Sequence, residues 1–274
     1  MINYNVNGLK SSDYEHSADK VALEALRKVP LLNTIMAAYL DFSTKSSLYM
    51  EVSGDYFRVT EATCHRVYKL FQLALDRLNM DKEPELFIKP DYNFNAFAAG
   101  AKENFIVINS SCVENFTDEE LLMDLGHELG HIKSGHMLYY SLANNINSLI
   151  GVFGGMSALL STGLGYALMD WQRKSEFTAD RAGMIAAMNY DQVQSNMIKY
   201  MGQGSAKDVD FSIDNVMEQY KDFDLAKESV IGKLLYAGLT LGMSHPWSVL
   251  RIKELSDWNN SGDYNDLITK YNIE

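Results

Sequence analysis

The sequence predicts an α+β domain that is mostly helical and contains one small three-stranded antiparallel sheet. Helical apolar spacing recurs along the chain, most clearly in residues 18–28 and 67–80. Strand-like apolar runs are confined to one stretch, where tight turns connect residues 85–89, 95–100 and 104–109. Few strands among many helices are typical of the α+β class.

The helices of the first half have recognisable boundaries. The first helix stops before Pro30, and residues 31–80 supply further helices. Thr117 and Glu120 form a capping box, because the threonine can cap a helix while the glutamate reaches back to the backbone at its start. The helix that begins there runs to about His136.

The second half adds three helices and one acidic segment. Helices are predicted over residues 171–189, 229–243 and 247–258, and a polar tail follows the last of them. Residues 207–228 are polar and acidic, which indicates an exposed loop or helix.

The composition is that of an acidic chain with enough apolar residues for a sizeable core. Of its 274 residues, 47% are hydrophobic, and the formal net charge is −12. An acidic surface repels phosphate backbones, so no nucleic-acid partner is expected. The same charge suits basic or neutral peptides, but solubility alone is a sufficient explanation for it.

Neither the cysteines nor the N-terminus indicates secretion. Cys64 and Cys112 are far apart and form no metal or redox spacing, so two free thiols are expected, with one disulfide as the alternative. Residues 1–20 lack a basic region followed by an apolar run. This predicts no secretory signal and a cytoplasmic protein.

The sequence HELGH, residues 127–131, predicts a zinc site. His127 and His131 are four residues apart, so on a helix they project from one face about 40° apart. Two imidazoles at this spacing can bind one zinc ion, with Glu128 on the adjacent flank. His136 falls on the opposite, apolar side of the helix, about 140° from His131, and is excluded as a ligand. The apolar stripe consists of Leu121, Leu122, Leu125, Leu129 and Ile132.

A second helix offers the third protein ligand that a catalytic zinc site needs. Glu176 and Asp180 are four residues apart and face the same way. The first carboxylate can bind the metal, and the second can accept the free N–H of a metal-bound histidine and fix its tautomer. The alternative is an exposed ion pair of Glu176 with Arg173 or Arg181. Small residues on both helices allow a close approach: Gly126, Gly130, Ala179, Ala182, Gly183 and Ala186.

These residue types together predict metal-assisted hydrolysis. Zinc lowers the pKa of its water towards neutrality, and Glu128 can take the proton and give it to a leaving amine. His245 lies in a Ser-His-Pro sequence after an apolar helix, where it can point into a cleft and stabilise an oxyanion. The alternative for His245 is a histidine at a helix end with no part in the chemistry. The 16 tyrosines are too many for one to be chosen as a further donor.

One long uncharged run raises the question of a membrane. Residues 137–169 contain no Asp, Glu, Lys or Arg. The run separates His131 from Glu176, so a single span would put two ligands of one metal on opposite sides of a bilayer, and the run is too short for two spans. We expect a pair of buried or interface helices, with a shallow membrane or oligomer contact through residues 148–169 as the alternative.

The motifs resemble those of the HtpX-like and type I CAAX prenyl endopeptidases, zinc metallopeptidases of the gluzincin clan. The resemblance covers roughly residues 80–256. It rests on NAFAAG (95–100), IVINS (106–110), HELGHIKSGH (127–136), SEFTADRAG (175–183) and SHPWSVLRIKEL (244–255). Several motifs in order, at compatible spacing, are far more specific than HExxH alone.

The resemblance implies an arrangement of domains and a cofactor. Residues 80–274 are expected to form a zincin-like metallopeptidase domain with one zinc ion. Residues 1–79 carry no motif of known chemistry and are expected to form a helical segment that packs on this domain. Unlike the membrane-bound members, the sequence shows no N-terminal membrane spans.

The resemblance also implies roles for individual residues. Glu176 is expected to be the third ligand, with Asp180 as the partner of a metal-bound histidine. His245, helped by Arg251, is expected to stabilise the transition state. The segment that begins NAFAAG is expected to be an edge strand that pairs with a peptide substrate, through Asn95, Ala96, Phe97 and Ala98.

The leading hypothesis is therefore a soluble zinc endopeptidase that acts on peptides or unfolded proteins, with a role in protein quality control. The alternative is a zinc-bound peptide-binding or chaperone-like module with little or latent proteolytic activity. A purely structural zinc site is less favoured, because such sites are usually rich in cysteine and neither cysteine is near the motif.

Overall fold

The computed structural model describes residues 8–28, 32, 47–100, 103–143, 165–202, 212–240 and 243–274. The helices of these parts are α1 (Ser11–Tyr14), α2 (Ser17–Arg27), α3 (Ser47–Asp55), α4 (His65–Arg77), α5 (Ser110–Asn115), α6 (Asp118–Lys133), α7 (Gly165–Ala187), α8 (Tyr190–Gly202), α9 (Ile213–Glu228), α10 (Val230–Thr240), α11 (Ser248–Ser261) and α12 (Asp263–Tyr271). The strands are β1 (Phe57–Arg58), β2 (Glu85–Lys89), β3 (Ala96–Ala99) and β4 (Phe105–Asn109). The mostly helical α+β class is thus confirmed.

The sheet has four strands in the order β1-β2-β4-β3, so the prediction of three antiparallel strands is wrong. β4 pairs parallel with β2 and antiparallel with β3, while the two-residue β1 pairs antiparallel with β2. All five residues of β4 are buried, which explains why this continuous apolar run takes a central position. A two-residue strand such as β1 is too short to show an alternating pattern in the sequence.

The capping box at the start of α6 is confirmed. The Glu120 backbone N–H donates to Thr117 Oγ1 at 3.2 Å, and the Thr117 backbone N–H donates to Glu120 Oε2 at 2.9 Å. The helix ends at Lys133 and does not reach His136, because Gly135 adopts a left-handed conformation with φ of 71°.

The other helix boundaries differ from the predictions by a few residues. Helix α7 begins six residues before the predicted start at residue 171, and most of the acidic segment 207–228 is the helix α9. The predicted polar tail contains the helix α12, whose Tyr264 and Leu267 are buried.

Glycines bring α6 and α7 into close contact at the centre of the molecule. A Cβ atom at Gly126 would lie 2.3 Å from the Ala186 Cβ, and one at Gly130 would lie 2.5 Å from the Ala182 Cβ. The expectation that small residues permit a close approach of these helices is confirmed. Side chains on the facing surfaces can therefore meet across a short gap.

Elements of residues 1–79 are built into the same structure. Phe71 of α4 is fully buried in the main core, next to the apolar side of α6. Leu26 of α2 is buried in a second cluster with Trp171 of α7. The N-terminal elements therefore reach both of the central helices.

Cys64 and Cys112 are both free thiols. Among the described residues, no helix is long and apolar enough to cross a membrane. Residues 144–164, which make up most of the uncharged run, lie outside the described part of the chain.

Candidate metal centre

Helices α6 and α7 bring His127, His131 and Glu176 together. The Nε2 atoms of the two histidines are 3.2 Å apart. His127 Nε2 lies 3.5 Å from Glu176 Oε2, and His131 Nε2 lies 3.4 Å from Glu176 Oε1. All three side chains are buried, and the group can hold one metal ion, since its ligand atoms lie within 4.8 Å of one another.

The chemistry of this group fits a metal. Two imidazoles and one carboxylate are a ligand set of catalytic zinc sites, which leave a fourth position open. Glu176 Oε2 is buried and accepts no hydrogen bond from the described residues. A buried carboxylate oxygen without a donor is unfavourable, and a bound cation would satisfy it.

The charges around Glu176 keep it ionised. Burial alone would raise the pKa of this carboxyl group, but His245, His127 and His131 hold its pKa well below the usual range. The predicted alternative of an ion pair with Arg173 or Arg181 does not occur. Arg173 instead donates to backbone carbonyls near the end of α10, and Arg181 donates to carbonyls near the end of α1.

The two histidines differ in their surroundings. Burial opposes protonation of both, but the carboxylates of Asp180 and Glu176 raise the pKa of His127 to about 10. Burial lowers the pKa of His131 to about 4, against the opposing influence of Glu176. The reason is that His127 meets a carboxylate at each ring nitrogen, whereas Nδ1 of His131 faces the imidazole of His136.

Asp180 and Arg251 hold His127 in place. The Asp180 Oδ1 atom lies 3.0 Å from His127 Nδ1, on the side of the ring away from Glu176. Arg251 donates to both carboxylate oxygens of Asp180, from Nε at 2.9 Å and from a terminal nitrogen at 2.5 Å. A bidentate pair of this kind fixes the carboxylate and so fixes the ring that it contacts.

Glu128 lies beside the three-residue group and contacts the sheet. Its Oε2 atom accepts a 2.6 Å hydrogen bond from the backbone N–H of Ala98 in β3. Burial raises the pKa of Glu128 to about 7, and the charge of Glu176 adds to this shift. The group can therefore accept and release a proton near neutral pH.

Strand β3 is an edge strand of the sheet. It pairs with β4 on one side only, in a register that places Ala96 opposite Ile108 and Ala98 opposite Ile106. The Asn109 backbone N–H donates to the Asn95 carbonyl at 2.9 Å, so the backbone groups of residues 95, 97 and 99 face β4. The backbone groups of Ala96 and Ala98 face away from β4, on the side of the strand where the Ala98 N–H meets Glu128.

A cavity of about 280 Å³ opens above the site. Its floor is formed by His127, Glu128 and Glu176, and one wall contains Asn95 and Ala96 at the start of β3. The remaining lining residues are Phe94, Met123, Asp124, Asn196, Met197, Tyr200, His245, Pro246, Ser248 and Arg251.

His245 stands at the mouth of this cavity. Its Nε2 atom lies 3.7 Å from Glu176 Oε1, and its Nδ1 atom lies 2.8 Å from the Ser244 hydroxyl. The side chain is 59% exposed, unlike the buried residues on the floor. The structure thus places His245 where the sequence predicts it, beside the three-residue group and accessible from the cavity.

Sequence reasoning did not find Tyr140, which contacts the same centre. Its hydroxyl donates a 2.5 Å hydrogen bond to Glu176 Oε1, and its ring packs on His131 with centroids 4.8 Å apart. Tyr140 lies in the helical residues 137–143, beyond the end of α6. No spacing rule selects it, because its position depends on the turn at Gly135.

This fold and this arrangement of side chains define a metallopeptidase, an enzyme that hydrolyses peptide bonds with the help of a metal ion. Residues 60–259 match peptidase family M48, and the chain belongs to this family.

Curated relatives agree with this assignment. The chloroplastic plastoglobule-localized metallopeptidase 48 of Arabidopsis thaliana is 29% identical over 266 residues, which cover 96% of this chain and 77% of that protein. Protease HtpX of Pseudomonas aeruginosa is 30% identical over 145 residues, 39% of this chain and 50% of that protein. A protease HtpX homologue of Fusobacterium nucleatum is 29% identical over 90 residues, 32% of this chain and 29% of that protein. The chain thus spans half or less of these two bacterial proteins.

Proposed function

We propose that this protein is a zinc-dependent endopeptidase in which His127, His131 and Glu176 hold one zinc ion and Glu128 is the general base. The observation that carries this proposal is the convergence of these four buried side chains beside an open strand edge. With only three protein ligands, a zinc ion held by these residues would keep a fourth position for a water molecule, as catalytic zinc sites do.

Zinc held by His127, His131 and Glu176 would supply an acidified water and would polarise the carbonyl of the scissile bond. The remaining steps belong to the side chains of this protein. The Glu128 carboxylate takes the proton of the attacking water and delivers it to the nitrogen of the leaving amine. His245 donates a hydrogen bond from Nε2 to the developing oxyanion, since it is accessible from the cavity. Arg251 keeps Asp180 and thereby His127 in position.

The substrate class follows from the edge strand. An extended peptide can add to β3 through the N–H and carbonyl of Ala96 and the carbonyl of Ala98. The N–H of Ala98 is already bound to Glu128. Because only an extended chain can pair in this way, we propose that the substrates are peptides or unfolded segments of proteins, which is consistent with a role in protein quality control.

A matched pair of proteins tests the proposal. Glu128→Gln should keep one equivalent of zinc, measured by elemental analysis, and lose about 10²–10⁴-fold in the hydrolysis of a quenched peptide or of casein. Removal of zinc from the wild type with a chelator should abolish hydrolysis, and added zinc should restore it. If wild type and Glu128→Gln both bind zinc and are equally inert, the protein is a peptide-binding module and not an active peptidase.

A further inference from the structure

A chain of three side chains connects the N-terminal helix α2 to the metal centre. His131 Nδ1 lies 3.0 Å from His136 Nδ1, on the side of the ring away from Glu176. His136 Nε2 lies 3.2 Å from Asp19 Oδ2. Asp19 and His136 are 0% and 1% exposed, so water does not compete for these contacts.

The proton positions along this chain are determined if His131 binds a metal through Nε2. The proton of the neutral His131 ring must then be on Nδ1, from which it is donated to His136. His136 must accept at Nδ1 and therefore carries its own proton on Nε2, from which it donates to the Asp19 carboxylate. Each donor in the chain faces an acceptor.

The surroundings of Asp19 fix it as an acceptor. Thr178 donates from its hydroxyl to Asp19 Oδ2 at 2.6 Å, and Trp171 donates from its indole N–H to Oδ1 at 3.0 Å. Although burial alone would raise the pKa of Asp19, these donors and His136 lower it. The side chain is thus held as a carboxylate with donors at both oxygens.

We infer that Asp19 is a positioning residue of the metal centre: it fixes the tautomer of His136, which fixes the tautomer of His131 so that Nε2 faces the metal. This inference rests on the proposed metal site. Asp19 precedes residues 60–259, which match the family, so the inference gives the N-terminal helix a specific part in a site otherwise built from α6 and α7.

Replacement of Asp19 by Asn tests the inference. The amide presents one oxygen in place of two, so it cannot accept from Thr178, Trp171 and His136 together. We expect the zinc dissociation constant, measured by competition with a chelator of known affinity, to rise about 10–100-fold, as when the partner of a metal-bound histidine is lost. The visible absorption bands of the cobalt-substituted protein should also change.

Leu26→Ala is the matched control on the same helix. Leu26 is 1% exposed and packs α2 against α7, but its side chain has no polar atom and takes no part in the chain of hydrogen bonds. It should lower Tm and leave zinc affinity within twofold of the wild type. An equal loss of zinc affinity in Leu26→Ala would show that Asp19 acts only by docking the helix, and would overturn the inference.

A double-mutant cycle tests whether Asp19 acts through His136. In the His136→Phe background no polar side-chain atom links Asp19 to His131, so Asp19→Asn should change zinc affinity by less than about twofold. If the losses of zinc affinity in the two single variants add up in the double variant, Asp19 does not act through His136. An unchanged zinc affinity in a folded Asp19→Asn protein would also contradict this route of action.

Nitrogen-15 NMR of the zinc-loaded wild type provides a test that needs no variant. His136 should carry its proton on Nε2 and His131 on Nδ1, and any other tautomer of His136 would refute the inference. The zinc-affinity, cobalt and NMR measurements report on the metal site and its histidine tautomers, and not on hydrolysis. A wild type that binds zinc but does not hydrolyse peptides would therefore refute the proposed function and leave the role of Asp19 open to the same tests.

Discussion

The helix pair α6–α7 and the helix pair α9–α10 use apolar residues in opposite ways. In α6–α7, glycines let the backbones touch, and Leu129 is 0% exposed. In α10 the large apolar side chains face outward, with Val230 76% exposed and Leu234 70% exposed. Both regions contain large apolar side chains, but most of those in α10 are not covered by other elements of the described chain.

The difference shows that apolar composition alone does not decide which helix forms a core. Helix α10 nevertheless has a defined connection to the site. Arg173 of α7 donates to the carbonyls of Thr240 at 2.8 Å and Met243 at 3.0 Å, which secures the segment that leads to His245. His245, which follows the exposed pair along the chain, lines the cavity, while the buried pair forms its floor.

The largest expected effect concerns His245, which follows the exposed pair along the chain. His245→Phe should lower kcat by about 10²–10³-fold, because the oxyanion loses a hydrogen-bond donor. Zinc content should be unchanged, since the proposed ligands are untouched. Steady-state kinetics and elemental analysis check this, and full activity in the variant would mean that another donor, such as Tyr140, serves the oxyanion.

Truncation of one leucine in each pair compares their cores directly. Leu129→Ala should lower the free energy of unfolding by about 2–5 kcal/mol, because it leaves a cavity between packed side chains. Leu234→Ala should change it by less than about 0.5 kcal/mol. Urea unfolding measures both, and similar losses would show that the face of α10 is covered in solution.

A buried carboxyl group in α6 should also make the free energy of unfolding depend on pH. Burial raises the pKa of Asp124 in α6 from 3.8 to about 6. Between these values the folded protein holds a proton that the unfolded chain has released, so the free energy of unfolding decreases as pH rises, by up to about 3 kcal/mol. In metal-free protein, Asp124→Asn should remove this contribution.

The pH effect is measured by urea unfolding at pH 4, 5, 6 and 7, as the difference in the free energy of unfolding between Asp124→Asn and the wild type. Equal slopes in the wild type and Asp124→Asn would contradict the expected protonation of Asp124 at low pH.

The smallest expected effects come from adding one methyl group to a glycine in each pair. Gly130→Ala should destabilise the protein by about 1–3 kcal/mol, because the new Cβ would lie 2.5 Å from the Ala182 Cβ. Gly238→Ala should stabilise it by about 0.5–1 kcal/mol, since no side chain among the described residues lies within 4 Å of the new Cβ and alanine favours the helix. Thermal unfolding should show a lower Tm for Gly130→Ala and a higher Tm for Gly238→Ala. A change of Tm in the same direction for both variants would contradict the contrast between the close-packed pair and the exposed pair.

Much of the site was predictable because its parts are local. The four-residue spacing of His127 and His131, and that of Glu176 and Asp180, places each pair on one face of a helix. The capping box at Thr117 fixes the start of α6 in the same way. Family motifs then indicated which two helices meet, which spacing within either helix does not reveal.

The sequence by itself therefore determined the helices, their polar faces and the residue types that can hold a metal. Only the tertiary structure decided the central position of β4, the exposure of α10 and the contacts of Tyr140 and Asp19 with the centre. The physical reason is the separation along the chain between the residues that interact. Helix faces and caps depend on residues three or four positions apart, whereas strand order, burial and the Asp19–His136 contact depend on segments that become neighbours only when the whole chain packs.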